Sequence, residues 1–211
     1  MTGREIRRLL LSLYAVLSVF GLSNCSTEKD THSQIFVSVR DQRLLLTRDG
    51  KAIKAYPIST SKFGIGDKNG SNRTPLGRMV VAEKIGDNLP AGAVFKMRRP
   101  TGEIVKPNAP GRDPIVSRIL WLRGTESNNK RAFGRCIYIH GTTEEWRLGA
   151  PASYGCIRMA SKDVIDLCRK VGIGAEVNVI RESLNDTDAG RQYAAMSSLW
   201  PQGKVKSFSG T

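Results

Sequence analysis

The sequence predicts a mainly β fold with one or two helices, and three observations predict it. Short runs of β-branched, aliphatic and aromatic residues recur between residues 34 and 180, each closed by Gly, Pro, Asn or Asp. Asp49-Gly50, a strong tight-turn pair, sits between two of these runs. Helical spacing is clear in only one stretch, where Val164, Ile165, Leu167, Cys168 and Val171 line one face. At 211 residues, 40% hydrophobic and 25% charged, the chain suits one domain with a real core plus appendages, not a disordered or multi-span membrane protein.

In chain order, Arg4, Arg7 and Arg8 precede a fourteen-residue, mostly apolar run from Leu9 to Leu22. That run is short of the roughly twenty residues of a membrane span and suits the apolar segment of an export signal. Leu22-Ser23-Asn24-Cys25 resembles a bacterial lipobox, which makes Cys25 a candidate lipidated N-terminus once residues 1–24 are removed; cleavage after Ser23 and an uncleaved anchor are the alternatives. Residues 25–33 are polar and read as a tether, with no role for His32. Ile35–Arg40, Arg43–Thr47 and Ala52–Pro57 read as a three-strand meander, and Ile58 to Gly77 as a polar loop. Met79–Ala82 and Ala93–Met97 are predicted strands. Arg98–Asp113, rich in Pro and Gly, is predicted to cross the surface and is long enough to line a site.

Ile115–Leu122 is a strand with aromatic mass at Trp121, and Thr125–Arg131 is a polar connector. Cys136–His140 alternates as a strand, with Cys136, Tyr138 and His140 on one face and Gly141 turning the chain away. Ser161 is the expected cap of the helix, Asp163 suits its first turn, and Gly172 ends it; Cys168 reads as core. Ala175–Ile180 closes the domain, placed at residues 34–181. Residues 182–211 read as a polar extension with a short helix near Arg191–Leu199, able to dock through Tyr193, Met196 and Trp200.

Chemistry concentrates in Ile139-His140-Gly141 and Ser153-Tyr154-Gly155-Cys156-Ile157-Arg158-Met159. A thiol attacks a carbonyl as its thiolate and needs a base beside it, usually imidazole. The chain has two histidines, and His140 is the better partner for Cys156. The loop from Thr142 to Ala152 holds Gly149 and Pro151 and can fold residue 156 back onto residue 140. Gly155 leaves room for a carbonyl to approach backbone N–H groups, and Arg158, two residues past the cysteine, could fork onto a substrate carboxylate.

These residues resemble the catalytic motif of the L,D-transpeptidases, the YkuD-type domain: a histidine, a loop, then Ser/Thr-His-Gly-Cys, an apolar residue and Arg or Asn. The separation of sixteen residues between His140 and Cys156 fits it. Tyr154 departs, standing where most members carry a second histidine. Thr74-Pro75-Leu76-Gly77 and the opening meander extend the likeness over roughly residues 34–180. The resemblance implies a sandwich of mixed β-sheets with one conspicuous helix. It also implies a Cys156 thioester on a peptidoglycan stem tetrapeptide, with His140 as base and the Gly141 carbonyl holding its other ring nitrogen. Ser153, Tyr154, Gly155 and Arg158 would serve the oxyanion and substrate, without cofactor or metal. An amine of a second stem or an envelope protein would resolve the thioester. The alternatives are hydrolysis, an L,D-carboxypeptidase, or a non-catalytic peptidoglycan-binding module, the last encouraged by Tyr154.

The formal charge of +14 raises nucleic-acid binding, yet Lys and Arg are scattered without a binding motif. An exported basic protein would equally be drawn to the anionic polymers and lipids of a cell envelope. The four cysteines form no Cys-x-x-Cys and, with one isolated histidine, offer no metal-ligand spacing; a Cys136–Cys168 disulfide stays open.

Overall fold

Residues 28–196 are described by the computed structural model; the predicted export segment, Cys25 and Trp200 lie outside them. The strands are β1 (Ser33–Ser38), β2 (Arg43–Arg48), β3 (Lys51–Ser59), β4 (Gly77–Ile85), β5 (Ala93–Lys96), β6 (Arg99–Ile104), β7 (Ile115–Gly124), β8 (Tyr138–Gly141), β9 (Ile157–Met159) and β10 (Glu176–Ile180). The helices are α1 (Ser161–Lys170) and α2 (Asp188–Met196). The sheet order is β4-β10-β1-β2-β3-β9-β8-β7-β5-β6, and β4 also pairs with β7. The sheet therefore curls round on itself into a barrel-like sandwich, with β5–β6 left as a hairpin on β7. Only β1–β10 and β8–β9 run parallel, so the fold is mixed as expected.

Alternation decides which side chains enter the core. Ile35 and Val37, Leu44 and Leu46, Ile139, Ile157 and Met159, and Val177 and Val179 all face inward and are buried in one cluster. Burying each stabilises the fold by about 1.5–3 kcal/mol before chain entropy is subtracted. From α1, Val164, Leu167 and Cys168 join them at helical spacing. Ser161 is not the cap of this helix. The side chain of Glu145, on a single 3-10 turn at Glu145–Arg147, accepts the Ser161 N–H at 2.8 Å and puts its negative charge at the helix N-terminus.

A second apolar cluster lies on the other face of β7 and β8, where Phe95, Ile119 and Tyr138 are buried with Trp121, Cys136 and Cys156 packed against them. Strand β6 was not foreseen: every residue of it is exposed, and Pro100 and Gly102 break the pattern. It pairs with β5 through a two-residue turn at Met97-Arg98, both with positive φ, a geometry that matches strand twist. Strand β8 begins at Tyr138; Cys136 is in the left-handed region at φ 57° and belongs to the turn before it. Cys136, Cys156 and Cys168 are free thiols, so the Cys136–Cys168 bridge is not formed.

The chain flanking the barrel is more tied down than its composition suggested. The Asp30 carboxylate accepts the N–H groups of His32, Ser33 and Gly172, docking the end of the tether. After β10, Ser183 and Asp186 form a capping box on a 3-10 turn, and Leu184, Ala189 and Tyr193 pack on Leu45, Ala52 and Ala55. Met196 remains exposed.

Candidate active site

Parallel strands β8 and β9 set the geometry. Their register pairs Ile139 with Ile157 and His140 with Arg158, so Ile139 and Ile157 point into the core. Tyr138, His140 and Arg158 therefore take the opposite face, and Cys156, the residue just before β9, packs in the cluster that holds Tyr138 on that side. Parallel strands need a long crossover, and the stretch 142–156 supplies it.

His140 is buried, and its Nδ1 lies 2.8 Å from the Gly141 carbonyl oxygen. A carbonyl can only accept, so Nδ1 carries the hydrogen and Nε2 of the neutral ring keeps a free lone pair. Burial holds the ring below its usual pKa; the Gly141 carbonyl and the Asp113 charge oppose this, and Arg158 adds to it. Gly141 has no alternative: a Cβ there would meet the Val116 carbonyl oxygen at 2.5 Å.

Cys156 is partly buried and lines a cleft of about 560 Å³ together with Tyr154, Ile137, Arg135, Arg131, Lys130, Asn69, Gly70 and Asn72. Its sulfur accepts the Tyr138 N–H at 3.4 Å and donates to the Cys136 carbonyl at 3.3 Å. Burial pushes the thiol up to about 11, only partly offset by the Tyr138 N–H and the Arg135 and Arg158 charges. Burial thus favours the neutral form of both the thiol and the imidazole.

The other residues singled out in the sequence divide. Gly155 has φ +122°, and its carbonyl accepts from Thr74 Oγ1 at 2.9 Å, so the threonine of Thr74-Pro75-Leu76-Gly77 holds the turn before the cysteine. Ser153 faces the backbone, not the cleft: its hydroxyl accepts from the Gly155 N–H at 3.2 Å and donates to the Cys156 carbonyl at 2.6 Å. Tyr154 is exposed on the cleft rim, with its hydroxyl 3.0 Å from Lys62 Nζ and its ring 5.5 Å from Phe63. That Lys62 hydrogen bond draws the Tyr154 phenol down.

Arg158 does not reach the cleft as an open fork. It is buried, and its Nη1 donates to Asp113 and, at 3.0 Å, to Glu144, while Nε and Nη2 have no partner among the described residues. Asp113 also accepts from Thr142 Oγ1 at 2.5 Å, Thr143 N at 2.9 Å and Thr143 Oγ1 at 3.1 Å, which fixes the chain just past His140-Gly141. Sequence reading missed Asp113 and Glu144. Asp113 closes a Pro- and Gly-rich loop, and nothing local marks it as the partner of an arginine 45 residues on.

The family profile described as the YkuD L,D-transpeptidase catalytic domain matches residues 32–179. The chain belongs to the L,D-transpeptidase catalytic-domain family. "Putative L,D-transpeptidase YkuD" of Bacillus subtilis is 29% identical over 147 residues, covering 70% of this chain and 65% of that protein. "Probable L,D-transpeptidase YbiS" of Escherichia coli is 37% identical over 54 residues, 26% of this chain and 18% of that protein. Among solved structures, an L,D-transpeptidase from Xylanimonas cellulosilytica is 18% identical over 71% of this chain and 60% of that one, with a TM-score of 0.47. The matched region spans just under two thirds of the length of the Bacillus relatives.

Two expected results concern this L,D-transpeptidase domain at rest. Alkylation of Cys156 by iodoacetamide, followed by peptide mass mapping, should accelerate about tenfold per pH unit up to about pH 11, because the thiolate is the reactive form and burial keeps it scarce. A plateau below pH 8 contradicts the neutral pair. For the buried cation, Asp113→Ala should cost about 3–5 kcal/mol by stranding the Arg158 charge, and Asp113→Ala with Arg158→Met should recover most of it in denaturant unfolding. Burial alone would raise the Asp113 carboxyl, but Thr142, Arg158 and Thr143 together hold it below its usual range. Its stabilisation is therefore present above the unfolded pKa and lost as pH falls through the folded one.

Proposed function

We propose that this chain is a peptidoglycan L,D-transpeptidase working through a Cys156 thioester. The observation that carries the reading is the single free lone pair on His140 Nε2, on the same side of the sheet as a cysteine that lines an open cleft. In the reaction the Cys156 S–H leaves the Cys136 carbonyl and gives its proton to Nε2. Sulfur then bonds to the carbonyl that follows the L-centre of the third stem residue. The Gly155 N–H is engaged by Ser153, so the N–H groups of Tyr154 and Cys156 serve the oxyanion. Collapse breaks the C–N bond, and the terminal D-residue departs as an amine with the proton from His140. An acceptor amine, from a second stem or an envelope protein, attacks the thioester; His140 takes its proton and sulfur is released.

Arg158 is assigned here as a positioning residue that ties β9 to Asp113 and Glu144, and Tyr154, held by Lys62, forms the cleft rim. We place the protein in the bacterial cell envelope, with residues 1–24 as export signal and Cys25 as lipid attachment point. No described helix is long and apolar enough to cross a membrane.

Incubation with muropeptides carrying tetrapeptide stems, read by mass spectrometry, tests the assignment. Cross-linked dimers support transfer. Tripeptide stems without dimers make the chain an L,D-carboxypeptidase. Wall affinity with no product and no carbapenem adduct at Cys156 makes it a binding module.

A further inference from the structure

The cleft beside the thiol is walled by cations, two of which have no carboxylate partner among the described residues. Lys130, Arg131 and Arg135 line it from the segment before β8, and Lys62 stands beside Tyr154 at its rim. The loop opposite, residues 66–73, adds Lys68 and Arg73 around an adjoining hollow. Asp67, the one acid of that loop, is already committed: it pairs with Arg135 at 3.1 Å and accepts the Arg131 N–H at 2.8 Å. The side chains of Lys130 and Arg131 are exposed and have no carboxylate partner among the described residues.

Nor is this wall a loose stretch of surface charge. Asn129, fully buried, donates to the Leu76 and Arg78 carbonyls at 3.0 and 2.9 Å, and its Oδ1 accepts the Glu126 N–H. The Arg135 guanidinium donates to the Gly66 and Arg73 carbonyls at 3.0 and 2.7 Å. Residues 130 and 131 thus stand between two anchors, Asn129 on one side and Arg135 with Asp67 on the other. Because Arg131 is held through its main-chain N–H, its guanidinium remains free for something else. With their main chain anchored at the wall of a concave site, these cations raise the local concentration of an anion there, because low-dielectric walls concentrate their field.

We infer that Lys130 and Arg131 are specificity residues that read a free carboxylate on the acyl donor, close to the carbonyl Cys156 attacks, and so select acidic stem peptides over their carboxamides. The inference rests on the proposed use of Cys156 and goes beyond it by naming what the donor must carry. A carboxamide keeps the size and the acceptor oxygen but loses the charge, and a charge-assisted hydrogen bond is roughly twice as strong as a neutral one.

The test uses paired tetrapeptide stem donors, identical except that the side-chain carboxylate of the second or third residue is free or amidated, with the full chain. For at least one position, kcat/KM for the acid should exceed that for the amide by about tenfold or more at low salt, expressed mainly in KM. The ratio should shrink in 0.5 M NaCl, where the Debye length falls to roughly 4 Å. Lys130→Gln with Arg131→Gln should bring the ratio close to one. Lys162→Gln with Arg169→Gln removes the same charge from the exposed face of α1 and should leave the ratio as it was. An acid-to-amide ratio near one in the parent chain, or a ratio untouched by the cleft variant, overturns the inference. Should no donor acylate Cys156 at all, the transferase reading falls instead. The acid and amide peptides titrated against Cys156→Ala then decide the specificity question by affinity alone: a preference for the acid that vanishes in the cleft variant upholds it, and equal affinities refute it.

Discussion

Cys156→Ala is expected to abolish turnover: neither cross-linked nor shortened stems accumulate above background, and no carbapenem adduct appears in the intact mass. The effect is complete because no other described thiol can substitute. Cys168 is buried in the core, and Cys136, in the turn before β8, meets Cys156 with its carbonyl, which accepts from the Cys156 thiol, not with its sulfur. The fold should survive. Removing one partly exposed sulfur costs about 1 kcal/mol, a shift of about 2–4 °C in Tm for a chain of this size. Retained product formation in this variant, in a preparation that melts cooperatively, would falsify the thioester mechanism.

His140→Gln should lower kcat by about 10² to 10⁴, the usual loss of a general base, and should remove the acid limb of the pH–rate profile. The direction follows from burial. The ring is held below its ordinary value of 6.5, so the wild-type chain should stay active into mildly acidic solution and fail only as Nε2 protonates. The same shift governs folding. Protonation favours the unfolded state, where the ring titrates normally, so the contribution of His140 to stability is full at neutral pH and fades as pH drops below about 6.5. Glutamine keeps a polar side chain near the Gly141 carbonyl but cannot take the thiol proton. An acid limb unchanged in the variant would assign the titration to another group.

Much of this architecture was legible in the residues, and the reasons are physical. The meander at β1–β3, the strand at β7 and the helix α1 each repeat an apolar pattern with the period of their own geometry, so Ile35, Leu44, Leu120 and Leu167 declare themselves as core. His140 and Cys156 stand out as candidates because few residue types do that chemistry and the chain has little else to offer. What failed was whatever depends on a distant partner. Ser161 looks like a cap, yet Glu145 does the work from the crossover. Arg158 looks like a free guanidinium, yet Asp113 and Glu144 take it inside. Ser153 looks like a substrate contact, yet its hydroxyl closes on its own turn. β6 is invisible because an exposed hairpin arm with Pro100 and Gly102 has no reason to alternate. Ion pairs and caps are settled by tertiary proximity, which local spacing does not encode.

The parallel pairing of β8 and β9 has a wider consequence. Main-chain register fixes His140 and the strand that follows Cys156, while the crossover between them, from Thr142 to Gly155, carries Trp146 and Tyr154 at the surface. On the proposed function, insertions or exchanges in that excursion should alter which donor is accepted while leaving the paired strands on either side in place.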